Sequence, residues 1–255
     1  MSVSTPSFLL IDVGNTRLKW ATAQSTGPVR VAGEIATLKA TRAWIGSLAK
    51  KHSKHRVVLS SVVPKLVPSL QRAFSGRLHV VTGISSALGL SFDYPKPAEL
   101  GADRLAAAVV AHEEKQWPAI VVSCGTATAF TVLDAKGRLC GGVIAPGLQT
   151  QLASLIGATA QLPEIDLKKT PRYLGRSTQE AIRAGVILNF QGGVKEILRR
   201  VTSELHGHRR TPHIILTGGY AHHLAFELDQ PVTLRPLLVF EGLRIIGVRA
   251  FKETL

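Results

Sequence analysis

Acidic side chains are scarce in this chain. Its 255 residues hold 17 Asp and Glu against 31 Lys and Arg, which gives a formal net charge of +14 and a pI near 10.3. Cysteine is scarcer still: Cys124 and Cys140 cannot build a disulfide framework, which points to a reducing compartment. No apolar run reaches membrane-spanning length, because Asp12 interrupts the longest one. Met1 to Ser7 lacks the basic and apolar regions of a signal peptide, so the expected place is the cytoplasm and no membrane partner is expected. Aromatic residues make up 5% of the chain, and the basic clusters at Lys50 to Arg56 and His206 to Arg210 are not interleaved with them. No zinc-finger, RNA-recognition or basic-zipper pattern occurs, so both clusters read first as solvated helix ends. A basic surface still favours anionic partners: nucleic acid, anionic metabolites or acidic proteins.

What the chain does have is apolar content, 45% with a mean hydropathy of +0.17, enough for a sizeable core. Its arrangement starts from Phe8-Leu9-Leu10-Ile11-Asp12-Val13-Gly14-Asn15-Thr16-Arg17-Leu18-Lys19-Trp20. Four apolar residues read as a buried strand ending at Asp12, and Gly14-Asn15-Thr16 turns the chain into a returning strand. Gly14 permits backbone dihedrals closed to other residues, and Asn15, Thr16 and nearby amides can donate to phosphate oxygens. An ordinary Gly-Asn hairpin is the plain alternative. A second copy argues against it. Residues 1–116 read as β-β-β-α-β-α-β-α, and after Trp117-Pro118 the order begins again over 117–255, with Cys124-Gly125-Thr126 at the equivalent turn. The second half is expected to carry a longer helix from Thr178 to Leu205 and a third glycine turn at Thr217-Gly218-Gly219. Two such α/β halves around a pseudo-twofold cleft would present their turns to one nucleotide.

In this pattern the chain resembles the actin, hexokinase and Hsp70 ATPase superfamily, with its duplicated ribonuclease-H-like fold. Five segments narrow the match: Asp12-Val13-Gly14-Asn15-Thr16, Gly101-Ala102-Asp103-Arg104, Gly125-Thr126-Ala127-Thr128, Gly142-Val143-Ile144-Ala145-Pro146-Gly147 and Thr217-Gly218-Gly219. In that order they resemble the type III pantothenate kinases, also called the Bvg accessory factor family. The resemblance covers nearly the whole chain. It implies an ATP-dependent transferase that phosphorylates pantothenate in coenzyme A biosynthesis, works as a homodimer and uses magnesium.

The resemblance also implies roles. Asp103 is the general base for the pantothenate hydroxyl, and Gly101, Ala102, Arg104 and Tyr94, nine residues before Asp103, line the substrate pocket. Thr178, in Gly175-Arg176-Ser177-Thr178, completes the neighbouring subunit's pantothenate site. Asp12 orients magnesium through water. Val13, Gly14, Asn15, Thr16, Arg17 and Lys19, with Gly125, Thr126, Ala127, Thr128, Gly218 and Gly219, make up the ATP and phosphate contacts. Each has a plain alternative: Asp103 as a helix cap, Arg104 and Lys19 as surface cations, Tyr94 as a core aromatic, Ser177 or Thr178 as a helix N-cap. Two departures stand out. Ser123 occupies a position where many members carry Asp beside a monovalent cation, and serine cannot supply that charge, so a potassium or ammonium requirement is left open. A common Thr-Thr-x-Asp continuation reads Thr128-Ala129-Phe130-Thr131 here, and Asp134 reads as a turn residue. His222-His223 has no carboxylate or cysteine at ligand spacing and reads as surface. Cys124 reads as a small buried residue. Two rivals remain: a regulatory or nucleic-acid-binding protein that kept the kinase fold, and a sugar or acetate kinase of the same superfamily.

Overall fold

The computed structural model describes residues 7–158, 165–167, 172–205, 211–225, 227–228 and 230–252. The basic cluster at His206 to Arg210 lies outside the described residues, as does most of the stretch around Thr170-Pro171. By contacts the chain forms two units: Met1–Lys115 with Gly137–Cys140 and Leu237–Leu255, and Gln116–Lys136 with Gly141–Pro236.

In the first unit, strand β1 (Ser7–Val13) is almost wholly buried because it lies in the middle of a sheet. It pairs antiparallel with β2 (Arg17–Gln24), which pairs with β3 (Arg30–Ala36). After helix α1 (Arg42–Lys51) the chain adds β4 (Arg56–Ser61) parallel to β1. Helix α2 (Val67–Ala73) then leads to β5 (Leu78–Val80), parallel to β4. The strand order is β3-β2-β1-β4-β5. Helix α1 forms where Thr41 Oγ1 accepts from the Trp44 amide, and it buries Ile45, Leu48 and Ala49 as one helical stripe. Its far end is closed by Arg77, whose guanidinium donates to the carbonyls of Ala49, His52 and His55. Leu9, Ile11, Val57 and Leu59 meet Ile45, Leu48, Leu70 and Phe74 in one core cluster.

Helix α3 (Ala102–Glu113) and helix α6 (Leu238–Ala250) pack together in the same unit. The alanine-rich face of α3 permits close approach. A Cβ on Gly242 would overlap the Ala106 carbonyl, and one on Gly247 would press on Val58 and Phe8. Helix α6 stands in the second half by chain order, but these contacts count it with the first unit.

The second unit repeats the sheet. Strand β6 (Ala119–Cys124) pairs antiparallel with β7 (Ala127–Leu133) and parallel with β9 (His213–Thr217). Strand β10 (Val232–Leu234) is parallel to β9, and β8 (Leu139–Pro146) flanks β7, in the order β10-β9-β6-β7-β8. Strand for strand this is the first sheet again. The connections differ. Helix α4 (Leu148–Gly157) and the 27-residue α5 (Thr178–Glu204) follow β8, and a single 3-10 turn at Ala221–His223 stands where a helix was expected between β9 and β10. Gly185, Gly192 and Gly193 do not interrupt α5.

The α3–α6 crossing has a direct test. Gly242→Ala should lower the thermal midpoint by several degrees, the effect of about 1–3 kcal/mol of overpacking. Gly46→Ala on α1, where a Cβ meets nothing within 4 Å, should leave the midpoint unchanged or raise it. Equal effects from the two variants would show that the crossing does not require glycine.

Candidate functional site

The first unit gathers its chemistry where β1 ends. Sheet register sets Asp12 opposite Lys19 on β2 and opposite Ser60 on β4. Ser60 Oγ donates to Asp12 Oδ1 at 2.9 Å. Burial, then the like charge of Asp103, push the Asp12 carboxyl up to about 6, against the Ser60 hydrogen bond and the Lys19 cation, which pull it down. Asp12 keeps partial access to solvent, so it is a carboxylate at the edge of the core.

Asp103 stands in the first turn of α3, where the helix dipole favours an anion. It is not the N-cap. Gly101 holds that position without a side-chain hydrogen bond, while Asp103 Oδ1 accepts from the Arg104 amide at 2.9 Å. A Cβ on residue 101 would come within 2.7 Å of that same oxygen, so Gly101 makes room for the carboxylate. Ala102 is buried under the helix start. Burial lowers the Arg104 guanidinium from its ordinary value, and Asp103 and Tyr94 beside it act in the opposite sense. Asp12, Ser60, Lys19, Tyr94, Gly101, Asp103 and Arg104 thus form one neighbourhood.

The turn after β1 is held differently from the sequence expectation. Gly14 has no positive φ, and its amide donates to Arg17 O at 3.0 Å. Thr37, which the motif reading did not include, fixes the turn by donating from Oγ1 to Gly14 O and from its amide to Thr16 O. Asn15 and Thr16 lie exposed at the tip, and Val13 is buried. Arg17 forms an ion pair with Glu34 at 2.6 Å on the neighbouring strand. Both partners are about half exposed, so the pair adds little stability, but it engages a side chain expected among the phosphate contacts.

In the second unit, Gly125-Thr126 makes a turn one residue shorter, closed by Gly125 N donating to Ala127 O at 3.0 Å. Thr126 and Ala127 are exposed, whereas Thr128 is buried with its hydroxyl unpartnered among the described residues. Gly147 at the head of α4 donates to Thr126 O, as does Thr150 Oγ1. Gly218, at φ +94°, backs directly onto the Cys124 main chain, where a side chain would collide. Gly219 beside it faces open space. Ser123 lies opposite Thr217, the lattice position that Asp12 and Ser60 take in the first unit. Burial pushes the Cys124 thiol up to about 12, which leaves it unreactive. Asp134 Oδ1 accepts from the Lys136 amide, a turn role.

Helix α5 begins with Ser177 as N-cap, its Oγ accepting from the Glu180 amide, while Glu180 accepts from the Arg176 amide. Thr178 is therefore the first helical residue, exposed and not the cap. The rings of His222 and His223 lie tilted against each other with centroids 4.2 Å apart, and no group of three His, Cys, Asp or Glu able to hold a metal occurs among the described residues. Ser60 and Thr37 are the contributors that motif reading missed. Ser60 ends the apolar run Val57-Val58-Leu59 beside a second serine, Ser61, and nothing in that run singles it out.

The ionised Asp12 carries a stability cost. Its folded pKa of about 6 exceeds the ordinary 3.8, so the folded state binds the proton more tightly and loses stability as pH rises between those values. Asp12→Asn should therefore raise the melting midpoint at pH 7.5 by about 2–4 °C, a gain of about 1 kcal/mol, and the gain should shrink as pH falls from 6 towards 4. A variant less stable than wild type at pH 7.5 would contradict the assignment.

A family model described as type III pantothenate kinase matches residues 8–200. A type III pantothenate kinase of Methylacidiphilum infernorum is 32% identical over 239 residues, covering 94% of this chain and 87% of that protein. Among solved structures, a Campylobacter jejuni protein assigned to the Baf family of transcriptional activators aligns over 97% of this chain and 100% of its own, with a TM-score of 0.62 and 18% identity. The activator of 2-hydroxyisocaproyl-CoA dehydratase from Clostridium difficile, with bound ADPNP, aligns over 97% of this chain and 96% of its own at a TM-score of 0.52 and 12% identity. These structural likenesses bear on fold alone, and with the repeated strand order they give the duplicated ribonuclease-H-like architecture of actin-like ATPases.

Proposed function

We infer the reaction from a membership: this chain belongs to the type III pantothenate kinase family. It transfers the γ-phosphoryl group of ATP to the primary hydroxyl of pantothenate, giving 4′-phosphopantothenate, the first step of coenzyme A biosynthesis. The observation that carries the site reading is the pair of carboxylates, Asp12 and Asp103, close enough for one to raise the other's pKa.

Phosphoryl transfer asks the protein for positioning, charge neutralisation and late acceptance of one proton. Asp103 is the acceptor. Its Oδ1 is tied to the Arg104 amide, which leaves Oδ2 to take the hydroxyl proton as the oxygen attacks phosphorus. The partly buried Arg104 guanidinium pairs with the pantothenate carboxylate, and Tyr94 closes that pocket. Asn15 and Thr16 at the first turn, with Lys19 behind them, contact nucleotide phosphates. Gly125, Thr126 and Ala127 do so from the second unit, where the open side of Gly219 suits the nucleoside.

The donors present fit magnesium. One carboxylate with a neighbouring second acid matches a cation held by few protein ligands plus phosphates, not an all-protein cage. Asp12 would hold it, and when bound the cation would supply neutralising charge to the transferring phosphoryl. Ser123 and Thr217 offer hydroxyls and no charge for a monovalent cation, so turnover is to be compared with and without potassium or ammonium.

The protein acts as a homodimer in the cytoplasm. No helix among the described residues is long and apolar enough to cross a membrane. Apolar side chains stand exposed on the second unit at Leu155, Tyr173, Leu174 and Leu188, and a groove between α4 and α5 is lined by Leu155, Ile182 and Val186. A second copy would cover them and bring Thr178 to its neighbour's pantothenate site. The reading as a silent nucleic-acid binder is not favoured, because family membership and both acids point to the kinase.

Asp103→Asn keeps the shape and removes the base. Its kcat for pantothenate should fall by about 100-fold or more, with a much smaller change in KM. A folded variant turning over within about threefold of wild type would remove Asp103 from the chemistry.

A further inference from the structure

Ser60 is fully buried, at 0% exposure, at the end of a strand that is otherwise Val57, Val58 and Leu59. A hydroxyl in such a place costs stability unless it is bonded. Its partner is Asp12 Oδ1 at 2.9 Å, and Ser60 is the only side-chain donor to Asp12 among the described residues. The bond is built by the sheet and not by a loop, since β1 and β4 run parallel with Asp12 and Ser60 as register partners. One carboxylate oxygen is therefore committed, which restrains rotation of the group, and Oδ2 is the oxygen left without a hydrogen bond among the described residues.

The duplicated unit provides an internal comparison. At the same lattice position it carries Thr217 opposite Ser123, again a buried hydroxyl on the inner parallel strand, but with no carboxylate for it to hold. The hydroxyl next to an acid is particular to the first unit.

We propose that Ser60 is a positioning residue whose hydroxyl fixes the Asp12 carboxylate so that Oδ2 is presented, already oriented, to the hydrated divalent cation that accompanies the nucleotide. The proposal rests on the kinase reading above. Without the bond the carboxylate is free to rotate about its last torsion, and every orientation other than the productive one weakens the cation site. Ser60 does not touch the cation or the substrates, so the pantothenate pocket at Tyr94 and Arg104 is left as it is.

The test uses full-length Ser60→Ala, which removes the donor without adding volume, beside wild type, Asp12→Asn and Ser61→Ala. Ser61 is the neighbouring strand residue, and among the described residues its hydroxyl bonds only Val63. Binding of Mn2+ with ADP is read from the spin-resonance signal of free Mn2+, and Mg2+ half-saturation and pantothenate KM are read from turnover. The expected result is about tenfold weaker Mn2+ binding in Ser60→Ala, a comparable rise in Mg2+ half-saturation, an unchanged pantothenate KM, and wild-type behaviour in Ser61→Ala. Ser60→Thr, which keeps the hydroxyl, should bind Mn2+ within about twofold of wild type, whereas Ser60→Cys, close in size but only a weak donor, should lose affinity as the alanine variant does. The cysteine variant decides the matter if the alanine variant does not melt cooperatively, and wild-type binding by it overturns the role. If Asp12→Asn loses Mn2+ while Ser60→Ala binds as wild type, the positioning role is overturned and the kinase reading stands. If Asp12→Asn itself binds Mn2+ normally, the cation is not at Asp12, and the proposal falls with that placement.

Discussion

The Asp12 carboxylate is held at the rim of a buried strand by a hydrogen bond whose donor, Ser60, is itself buried and fixed by sheet register. The rest of the first unit depends on tolerating this group. Leu9, Leu10 and Ile11 commit β1 to the core, so Asp12 leaves the core only at the point where the strand ends. Asp103 is then brought within electrostatic reach by α3, whose alanines let it lie close against α6. The packing that makes the unit stable is what forces two acids into one neighbourhood. Asp12 accepts a raised carboxyl pKa as the cost of standing there.

Duplication supplies a second lattice of the same kind with different chemistry. Strands β6, β7 and β9 repeat β1, β2 and β4, but Ser123 and Thr217 replace Asp12 and Ser60. The second turn is shorter, and it is braced by Gly147 and Thr150 from α4 and by Gly218 against Cys124. At the register position of Asp12 and Ser60 one unit therefore carries an acid bonded to a hydroxyl, and the other carries hydroxyls alone.

Much of this was legible in the sequence because it follows from periodicity. The apolar run ending at Asp12, its repeat ending at Ser123, and the alanine-rich helix after Gly101 each set a strand or helix whose place in the sheet was then fixed. Side-chain commitments were not legible. Arg17 reads as a phosphate cation, yet Glu34 takes it, because the partner is set by strand pairing seventeen residues away. Gly14 reads as a residue open to dihedrals closed to others, yet it has no positive φ, and Thr37 holds the turn from outside. Thr128 reads as a phosphate contact, yet it is buried on β7, a strand buried from there to its end. Ser60 was hidden for the opposite reason: nothing local marks a serine that acts across a parallel pair.

The central claim is that one neighbourhood holds Asp12 and Asp103 as mutually repelling carboxylates. The most direct measurement is a carbon-13 NMR titration of the Asp12 carboxyl in wild type and in Asp103→Asn. In wild type the account predicts a midpoint at about 6, and in Asp103→Asn a lower one, since burial remains and the like charge is gone. A midpoint near the ordinary carboxylate value in wild type, or one that does not move when Asp103 loses its charge, would contradict it.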